Sequence, residues 1–428
     1  MTEFVKKIGV RVKESYLSAR LDSGMKIIVI PKDFPTVTAM LCCDFGAVDI
    51  EYEINGASFS LPYGTAHFLE HKMFENPDGS DAFSEFDAYG GNANAFTSYE
   101  NTCYYFSCTD NFYENLDILL RAVSSLNVSE DSVDKERKII TREILMYEDS
   151  PVTAVTRNLS KALYHNHPTV YPIAGTVESV SDITKEVLER AYRDFYTPEN
   201  LTLCVCGNVD RERLVQLAEK YFESNGNKRP KTVFRNEPES VKSERIEEES
   251  AVATPLFAIG IKCAPPENNE LSSFRRAAAT RIAISLTFGR ASDFYCENYK
   301  SGLLSERFYA GYTQSRSAAH VIISGSSNSP DKVFELAIRE LELRKERFFT
   351  DDQIIREKRA VYAESLTLFD SGEDMAASFA TGASLEYDEY DCIDVLSDIT
   401  PDEIRASLES LELENRSLSI ISGKEQYL

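Results

Sequence analysis

Two histidines four residues apart, with a glutamate directly before the second, form the segment HFLEH at residues 67–71. If this segment is helical, His67, Glu70 and His71 project from one face, because residues three and four apart are neighbours on a helix. Two imidazoles at this spacing can bind one tetrahedral Zn²⁺, and a glutamate in the adjacent turn can reach a water on the ion. The segment therefore predicts a catalytic zinc site. The alternative is two ordinary histidines beside an acidic residue.

A catalytic zinc ion needs a third protein ligand and one open position. The segment DKERKIITREILMYEDSP carries Glu136 and Glu143, which are two helical turns apart and therefore share a face. One of them can bind the metal while the other orients a histidine, but periodicity does not distinguish the two. A solvent-exposed acidic stripe is the alternative for this helix. His165 and His167, in the turn LYHNHPTVYP, are the other candidates for a ligand.

A strand suited to binding a peptide follows the histidine segment. Gly90 and Gly91 permit a turn, and residues 92–99 (NANAFTSY) alternate as an edge strand would. An extended peptide can pair with such an edge through main-chain hydrogen bonds. The alternative is a hairpin strand that is paired on both sides.

The surrounding elements must position these residues. Gly64 offers a flexible start for the histidine helix, and Thr65 offers a side-chain cap. Strand-like runs and amphipathic helices mix irregularly along the chain, which predicts an α+β fold with helices packed on one face of a mostly antiparallel sheet. The patterns predict strands at 26–31, 36–48, 92–99, 102–109, 255–264 and 320–326, and helices at 111–126, 129–148 and 330–346.

A repeated motif indicates that the chain is a duplication. SDIT occurs at residues 181–184 and 397–400, and each copy precedes a helical stretch, an asparagine and a strand ending in glycine. The repeat predicts two homologous domains. We expect an N-terminal domain at 1–225 with the zinc motif, a charged linker at 226–250, and a C-terminal domain at 251–428 without it.

Composition limits the classes of partner. The chain of 428 residues is 43% hydrophobic with a formal net charge of −24, which indicates globular domains and argues against nucleic acid or a membrane as partner. No run of about 18 apolar residues and no signal peptide is visible. The nine cysteines form no C-x-x-C pair. They are predicted to be buried thiols in the reducing cytoplasm.

HFLEH, the following segment GGNANAFTSYENTCYYF and the spacing Glu136-x6-Glu143 together resemble the pitrilysin-type inverzincin zinc metallopeptidases. That family includes mitochondrial processing peptidase and insulin-degrading enzyme. The resemblance covers essentially the whole chain and is closest to the small two-domain bacterial subunits of the processing-peptidase-like kind. It implies two α/β rolls that enclose a cavity on dimerisation. The implied activity is that of a zinc metalloendopeptidase acting on peptides or leader segments.

The resemblance also implies a role for each candidate site residue. It makes His67, His71 and Glu143 the ligands of one Zn²⁺ per chain. Glu70 would be the catalytic base, and Glu136 would be the partner that orients a ligand histidine.

Substrate-binding residues and a partner subunit follow from the same resemblance. Family members bind substrate on the strand after the metal helix, here Asn94, Ala95 and Phe96. They also carry an arginine and a tyrosine in the second half to hold the substrate carbonyl, whereas this chain has Asn298 and Ser305 at the aligned positions. Neither side chain replaces a guanidinium charge or a phenol. We therefore expect a paralogous subunit in a heterodimer, rather than a homodimer, to supply that pair. The alternative is a non-catalytic structural or peptide-binding subunit.

Overall fold

A computed structural model describes residues 2–76, 79–223, 228–266, 270–385 and 387–423 of the chain. Two compact units make up this structure, and each contains segments from both halves of the sequence. The first unit is formed by Met1–Ile144, Tyr171–Val233 and Leu366–Asp391. The second is formed by Leu145–Val170, Phe234–Ser365 and Cys392–Leu428. Residues 226–227 of the predicted linker lie outside the described residues.

The first unit is built on a seven-stranded sheet. Its strands, and those of a small second sheet, are β1 (Val5–Gly9), β2 (Glu14–Arg20), β3 (Lys26–Ile30), β4 (Val37–Cys43), β5 (Glu51–Ile54), β6 (Ala57–Ser60), β7 (Asn92–Thr97), β8 (Thr102–Cys108), β9 (Leu201–Cys206) and β10 (Lys231–Thr232). The large sheet has the order β1-β2-β3-β9-β4-β8-β7, and the small sheet has the order β10-β5-β6. In the large sheet only the pair β3–β9 is parallel. β7 therefore lies at an edge of this sheet, next to β8.

The second unit repeats the same arrangement with five strands. They are β11 (Arg245–Ser250), β12 (Leu256–Cys263), β13 (Tyr309–Gln314), β14 (Ala319–Ser326) and β15 (Arg416–Gly423). Their order is β11-β15-β12-β14-β13, with β11–β15 as the parallel pair. This order matches β3-β9-β4-β8-β7 strand for strand, in agreement with the predicted duplication. β10 and β11 are formed by residues within the predicted linker.

Helices complete both units, and the α+β prediction is confirmed. They are α1 (Thr65–Lys72), α2 (Phe83–Ala88), α3 (Phe112–Val123), α4 (Glu130–Glu148), α5 (Pro151–Leu163), α6 (Val177–Ser181), α7 (Lys185–Phe195), α8 (Arg211–Tyr221), α9 (Leu271–Phe288), α10 (Asp293–Lys300), α11 (Pro330–Glu346), α12 (Asp351–Leu366), α13 (Gly372–Thr381), α14 (Glu389–Asp398) and α15 (Pro401–Glu409). The two SDIT motifs end in the N-caps of α7 and α15, where Thr184 and Thr400 accept main-chain hydrogen bonds. Within the described ranges, no helix has the length and apolar character needed to cross a bilayer.

Both faces of the large sheet in the first unit are buried. Ile27 and Val29 belong to the core formed with the helices on one face, and Ile28, which points the other way, is also buried. That opposite face is covered by α13, which comes from the second half of the chain and packs on β4 and β9. The hydroxyl of Tyr16 on β2 donates a hydrogen bond of 2.6 Å to Asp388 in the segment that follows α13.

The equivalent helix of the first half completes the second unit. α5 packs on β12 and β15, and its Leu159 and Leu163 share a buried cluster with Ala258 and Ile421. Each half of the sequence therefore contributes one helix to the sheet of the other half, and this exchange was not predicted.

We expect that residues 1–233 do not fold by themselves, because α13 is missing from that fragment. Without it Ile28, Met40 and Cys204, all buried in the intact protein, would become exposed. Burying each large apolar side chain stabilises a fold by about 1.5–3 kcal/mol, and a whole domain has only about 5–15 kcal/mol of stability. Thermal unfolding followed by circular dichroism should show no cooperative transition.

The matched control is the same fragment joined through a flexible linker to residues 366–391. This fusion should recover a sharp transition, since it restores α13 and leaves everything else unchanged. A sharp transition in the unfused fragment would contradict the expectation.

One prediction about the cysteines is wrong. Cys42 on β4 and Cys103 on β8 are directly opposite each other in the sheet and are joined as a disulfide. Cys43, Cys204 and Cys206 are buried thiols, as predicted. Single-sequence spacing could not reveal the pair, because the two residues meet only when β4 and β8 align.

Candidate metal centre

The segment HFLEH forms the middle of α1, and the start of this helix is tightly held. Gly64 adopts a left-handed conformation with φ of 91°, and a Cβ there would come within 2.4 Å of the Ala174 carbonyl oxygen. The prediction that Thr65 caps the helix with its side chain is wrong. Its hydroxyl donates to the Pro62 carbonyl at 2.7 Å. The Ser179 hydroxyl donates to the Tyr63 carbonyl at 2.9 Å. The backbone that enters α1 is therefore fixed by the chain around residue 175.

The second glutamate-bearing element, α4, is anchored in the core through one face. Val133, Ile140 and Ile144 are its buried residues. Glu136 and Glu143 border that face and are only partly exposed. The alternative of a fully solvated acidic stripe therefore does not describe these two side chains.

The two histidines of α1 and Glu143 of α4 meet at one point. Nε2 of His67 is 3.7 Å from one carboxylate oxygen of Glu143, and Nε2 of His71 is 3.6 Å from the other. Suitable donor atoms of all three residues lie within 4.8 Å of one another. Across the described part of the chain, this is the only such group of three or more His, Cys, Asp or Glu residues.

These distances fit a zinc ion better than direct hydrogen bonds. Two ligand atoms at about 2.0–2.1 Å from a tetrahedral ion are roughly 3.4 Å apart, whereas a normal hydrogen bond of this kind is about 2.7–3.2 Å long. Nδ1 of His67 is buried without a hydrogen-bond partner, and burial, with the nearby His71, lowers the pKa of His67 to about 3. His67 is therefore neutral and offers a lone pair.

Glu136 occupies the other side of His71. Its carboxylate is 3.0 Å from Nδ1 of His71, so that Nδ1–H can donate to it, and Nε2 is the ring nitrogen that faces Glu143. Burial alone would raise the pKa of Glu136, but the hydrogen bond and charge of His71, together with Lys72, hold it below its usual value. The structure thus brings Glu143 to both histidines and Glu136 to one, which periodicity did not distinguish.

Glu70 lies in the same turn and is held by a residue that the sequence analysis missed. The Thr97 hydroxyl donates to the Glu70 carboxylate at 2.5 Å. Burial raises the pKa of Glu70 above its ordinary value, although the hydrogen bond from Thr97 opposes the shift. The alternation of β7 contains a usable signal, because Thr97 shares a face with Ala93 and Ala95 and that face packs against the core near α1.

Lys72 is a second residue that sequence reasoning did not single out. Its side chain is only 1% exposed, which is rare for lysine. The ammonium group pairs with Glu75 and lies 4.0 Å from Oε2 of Glu136, the carboxylate oxygen that does not contact His71. It therefore adds positive charge beside the carboxylate that contacts His71.

The predicted substrate-binding residues lie on β7, which pairs with β8 and with no further strand among the described residues. Its edge position agrees with the prediction, and the alternative of an internal strand is excluded for the described residues. Asn94 is exposed, while Ala95 and Phe96 are partly buried. The side-chain oxygen of Asn94 accepts a 2.9 Å hydrogen bond from the Ala95 main-chain N–H.

The other histidines are not part of the metal-binding group. His165, His167 and His320 belong to the second unit. Both ring nitrogens of His167 have hydroxyl partners, Thr169 at 2.9 Å and Ser317 at 2.7 Å. None of the three histidines joins the group at the metal centre.

Asn298 and Ser305, which the sequence analysis expects in place of an arginine and a tyrosine, are also in the second unit. The Asn298 amide donates to the Phe294 carbonyl at 2.8 Å within α10, and Ser305 contacts the Ser326 hydroxyl at 2.8 Å. Both side chains are thus used in local hydrogen bonds.

Comparison with known proteins gives consistent matches along the chain. The family described as Insulinase (Peptidase family M16) matches residues 35–177, and that described as Peptidase M16 inactive domain matches residues 182–361. A Bacillus subtilis protein named uncharacterized zinc protease YmfH is 31% identical over 409 residues, covering 92% of this chain and 93% of its own. A second B. subtilis protein, uncharacterized zinc protease YmxG, is 38% identical over 165 residues, or 38% of this chain and 40% of its own.

Solved structures share the fold over nearly the full length. A crystal structure described as an M16-like peptidase from Alicyclobacillus acidocaldarius has a TM-score of 0.90 and 28% identity, covering 98% of this chain and 99% of the other. A protease from Helicobacter pylori has a TM-score of 0.81 with 17% identity, covering 96% and 100%. At that identity the second likeness concerns the fold alone.

Proposed function

The chain belongs to the insulinase family of M16 zinc peptidases, and from this premise we propose that it is the catalytic subunit of a zinc-dependent metalloendopeptidase. Its substrates would be peptides or leader segments. The observation that carries the proposal is the convergence of His67, His71 and Glu143 within 4.8 Å, beside the carboxylate of Glu70. Two imidazoles and one carboxylate are the donor set of hydrolytic zinc sites that keep one open position.

The side chains at this centre divide the work of peptide hydrolysis. A Zn²⁺ held by His67, His71 and Glu143 would supply Lewis acidity, which lowers the pKa of a bound water to about 7 and polarises a carbonyl. Glu70 accepts the proton of the attacking water on its carboxylate and returns it to the leaving amine. Glu136 holds His71 in the tautomer and orientation needed for binding.

We further propose that the substrate lies along β7. An open strand edge offers unpaired main-chain groups to an extended peptide. Support comes from the edge position of β7 and from its last residue, Thr97, which contacts Glu70 directly. A peptide on this edge would displace the Asn94 side chain from the Ala95 N–H and take over that hydrogen bond.

A paralogous partner subunit is the remaining part of the proposal. Asn298 and Ser305 cannot stabilise a substrate oxyanion as an arginine and a tyrosine would, so that function would fall to another chain in a heterodimer. Losing one oxyanion donor costs about 10²–10³ in rate. The purified chain alone should therefore bind one zinc ion and cleave peptides slowly.

The test compares the chain alone with the assembly recovered by affinity purification from its native cells. Zinc content is measured by elemental analysis, and turnover is measured with a quenched fluorescent peptide library. We expect about a 10²–10³-fold higher rate for the assembly. Full activity of the chain alone would contradict the need for a partner. Zinc binding without cleavage in either preparation would instead favour the non-catalytic subunit.

A further inference from the structure

The contact between β7 and α1 suggests a function for Thr97. This residue is the last in the edge strand, directly opposite Thr102 of β8. Its hydroxyl donates to Oε2 of Glu70 at 2.5 Å. We propose that Thr97 is a positioning residue that fixes the Glu70 carboxylate for proton transfer. This inference rests on the proposed function and deepens it.

The neighbouring Thr102 hydroxyl explains why the Thr97 hydroxyl donates its hydrogen bond to Glu70. Thr102 donates its only hydroxyl proton to the Phe45 carbonyl at 2.8 Å. Thr97 and Thr102 are 3.4 Å apart, so the contact of Thr97 with Glu70 is the shorter of its two. Because a hydroxyl has one proton and Thr102 gives its own to Phe45, Thr97 keeps its proton for the Glu70 carboxylate, and no proton is left for a hydrogen bond between the two threonines.

The hydrogen bond from Thr97 to Oε2 affects how the Glu70 carboxylate can act as a base. The hydrogen bond from Thr97 holds the carboxylate in one orientation, and an ionised carboxylate has further lone pairs that can take a proton from water. Ala93 and Ala95 share the Thr97 face of β7, and their short side chains let α1 lie close to the strand. The strand that we propose to bind the substrate would thus also orient the base, so one rigid element sets both positions.

The test uses two variants of the complete chain. Thr97→Val keeps the shape and removes the hydroxyl, while Thr97→Ser keeps the hydroxyl. In whichever preparation cleaves the quenched peptides, the valine variant should lose about 10–100-fold in kcat with KM unchanged, since hydrogen bonds to charged groups are strong. The serine variant should stay within about threefold of the parent chain.

Two readouts besides turnover separate positioning from a general structural effect. Both variants should bind zinc with the parent affinity in a chelator competition, and both should melt at the parent temperature. A high-resolution crystal structure of the valine variant should show the Glu70 carboxylate rotated or in two orientations. An unchanged Glu70 orientation, or equal loss of zinc and turnover, would overturn the proposal. If the parent chain hydrolysed no peptide in any preparation, the proposed function would fail, and the Glu70 orientation would still decide the role of Thr97.

Discussion

Replacing Glu70 by glutamine is expected to reduce peptide hydrolysis by about 10²–10⁴-fold, the usual contribution of a general base. Glutamine has the shape of glutamate but cannot accept the proton of the attacking water. The zinc content should equal that of the parent chain, because the donors from His67, His71 and Glu143 are unchanged. Steady-state cleavage of a quenched peptide, together with elemental analysis of the same sample, measures both quantities.

Glu148→Gln is the matched control for this variant. Glu148 is the last residue of α4 and is exposed. The variant Glu148→Gln therefore makes the same chemical change outside the metal centre. It should retain the parent rate and the parent zinc content. If Glu70→Gln cleaved peptides as fast as Glu148→Gln, the proposed base would be wrong.

Glu143→Gln is expected to weaken zinc binding more than Glu136→Gln does. Loss of the Glu143 charge removes the carboxylate that lies within 3.7 Å of both ring Nε2 atoms. Glutamine at 136 can still accept the hydrogen bond from His71 through its amide oxygen. We therefore expect about a tenfold loss for Glu136→Gln, at the low end of the range for residues that support a ligand, and more than about 100-fold for Glu143→Gln.

Competition with a chromophoric chelator at fixed pH gives the two dissociation constants on one scale. The order of the two variants is the decisive result, since it distinguishes a ligand from a residue that orients one. If Glu136→Gln lost more affinity than Glu143→Gln, the assignment of the third ligand would be reversed. Melting temperatures of the metal-free variants exclude unfolding as the cause.

Local spacing was sufficient to predict the centre of the site. His67, Glu70 and His71 lie within two turns of one helix, and helix geometry alone puts them on a common face. Elements elsewhere in the chain were also predicted from their own periodicity: β12 (Leu256–Cys263) and α11 (Pro330–Glu346) form where the patterns at 255–264 and 330–346 predict them. The duplication could also be predicted from the sequence, because the repeated SDIT motif provides the same N-cap residue twice.

Predictions failed where the sequence pattern did not identify a residue's hydrogen-bond or disulfide partner. Thr65 is a residue type that often caps helices, but Gly64 occupies the N-cap position of α1, and the Thr65 hydroxyl donates to Pro62. Cys42 looked like an ordinary buried thiol until β4 and β8 brought Cys103 opposite it. The role of Thr97 was invisible for the same reason, because Glu70 lies on another element.

The sequence by itself determined the elements, the α+β class and the three site residues carried on α1, because helix and strand periods act over a few residues. Only the tertiary structure decided that Glu143 faces both histidines, that β7 is an edge, and that each half of the sequence contributes one helix, α5 or α13, to the sheet of the other half. These features depend on how distant segments pack, and packing selects among faces and neighbours that a local pattern leaves equivalent.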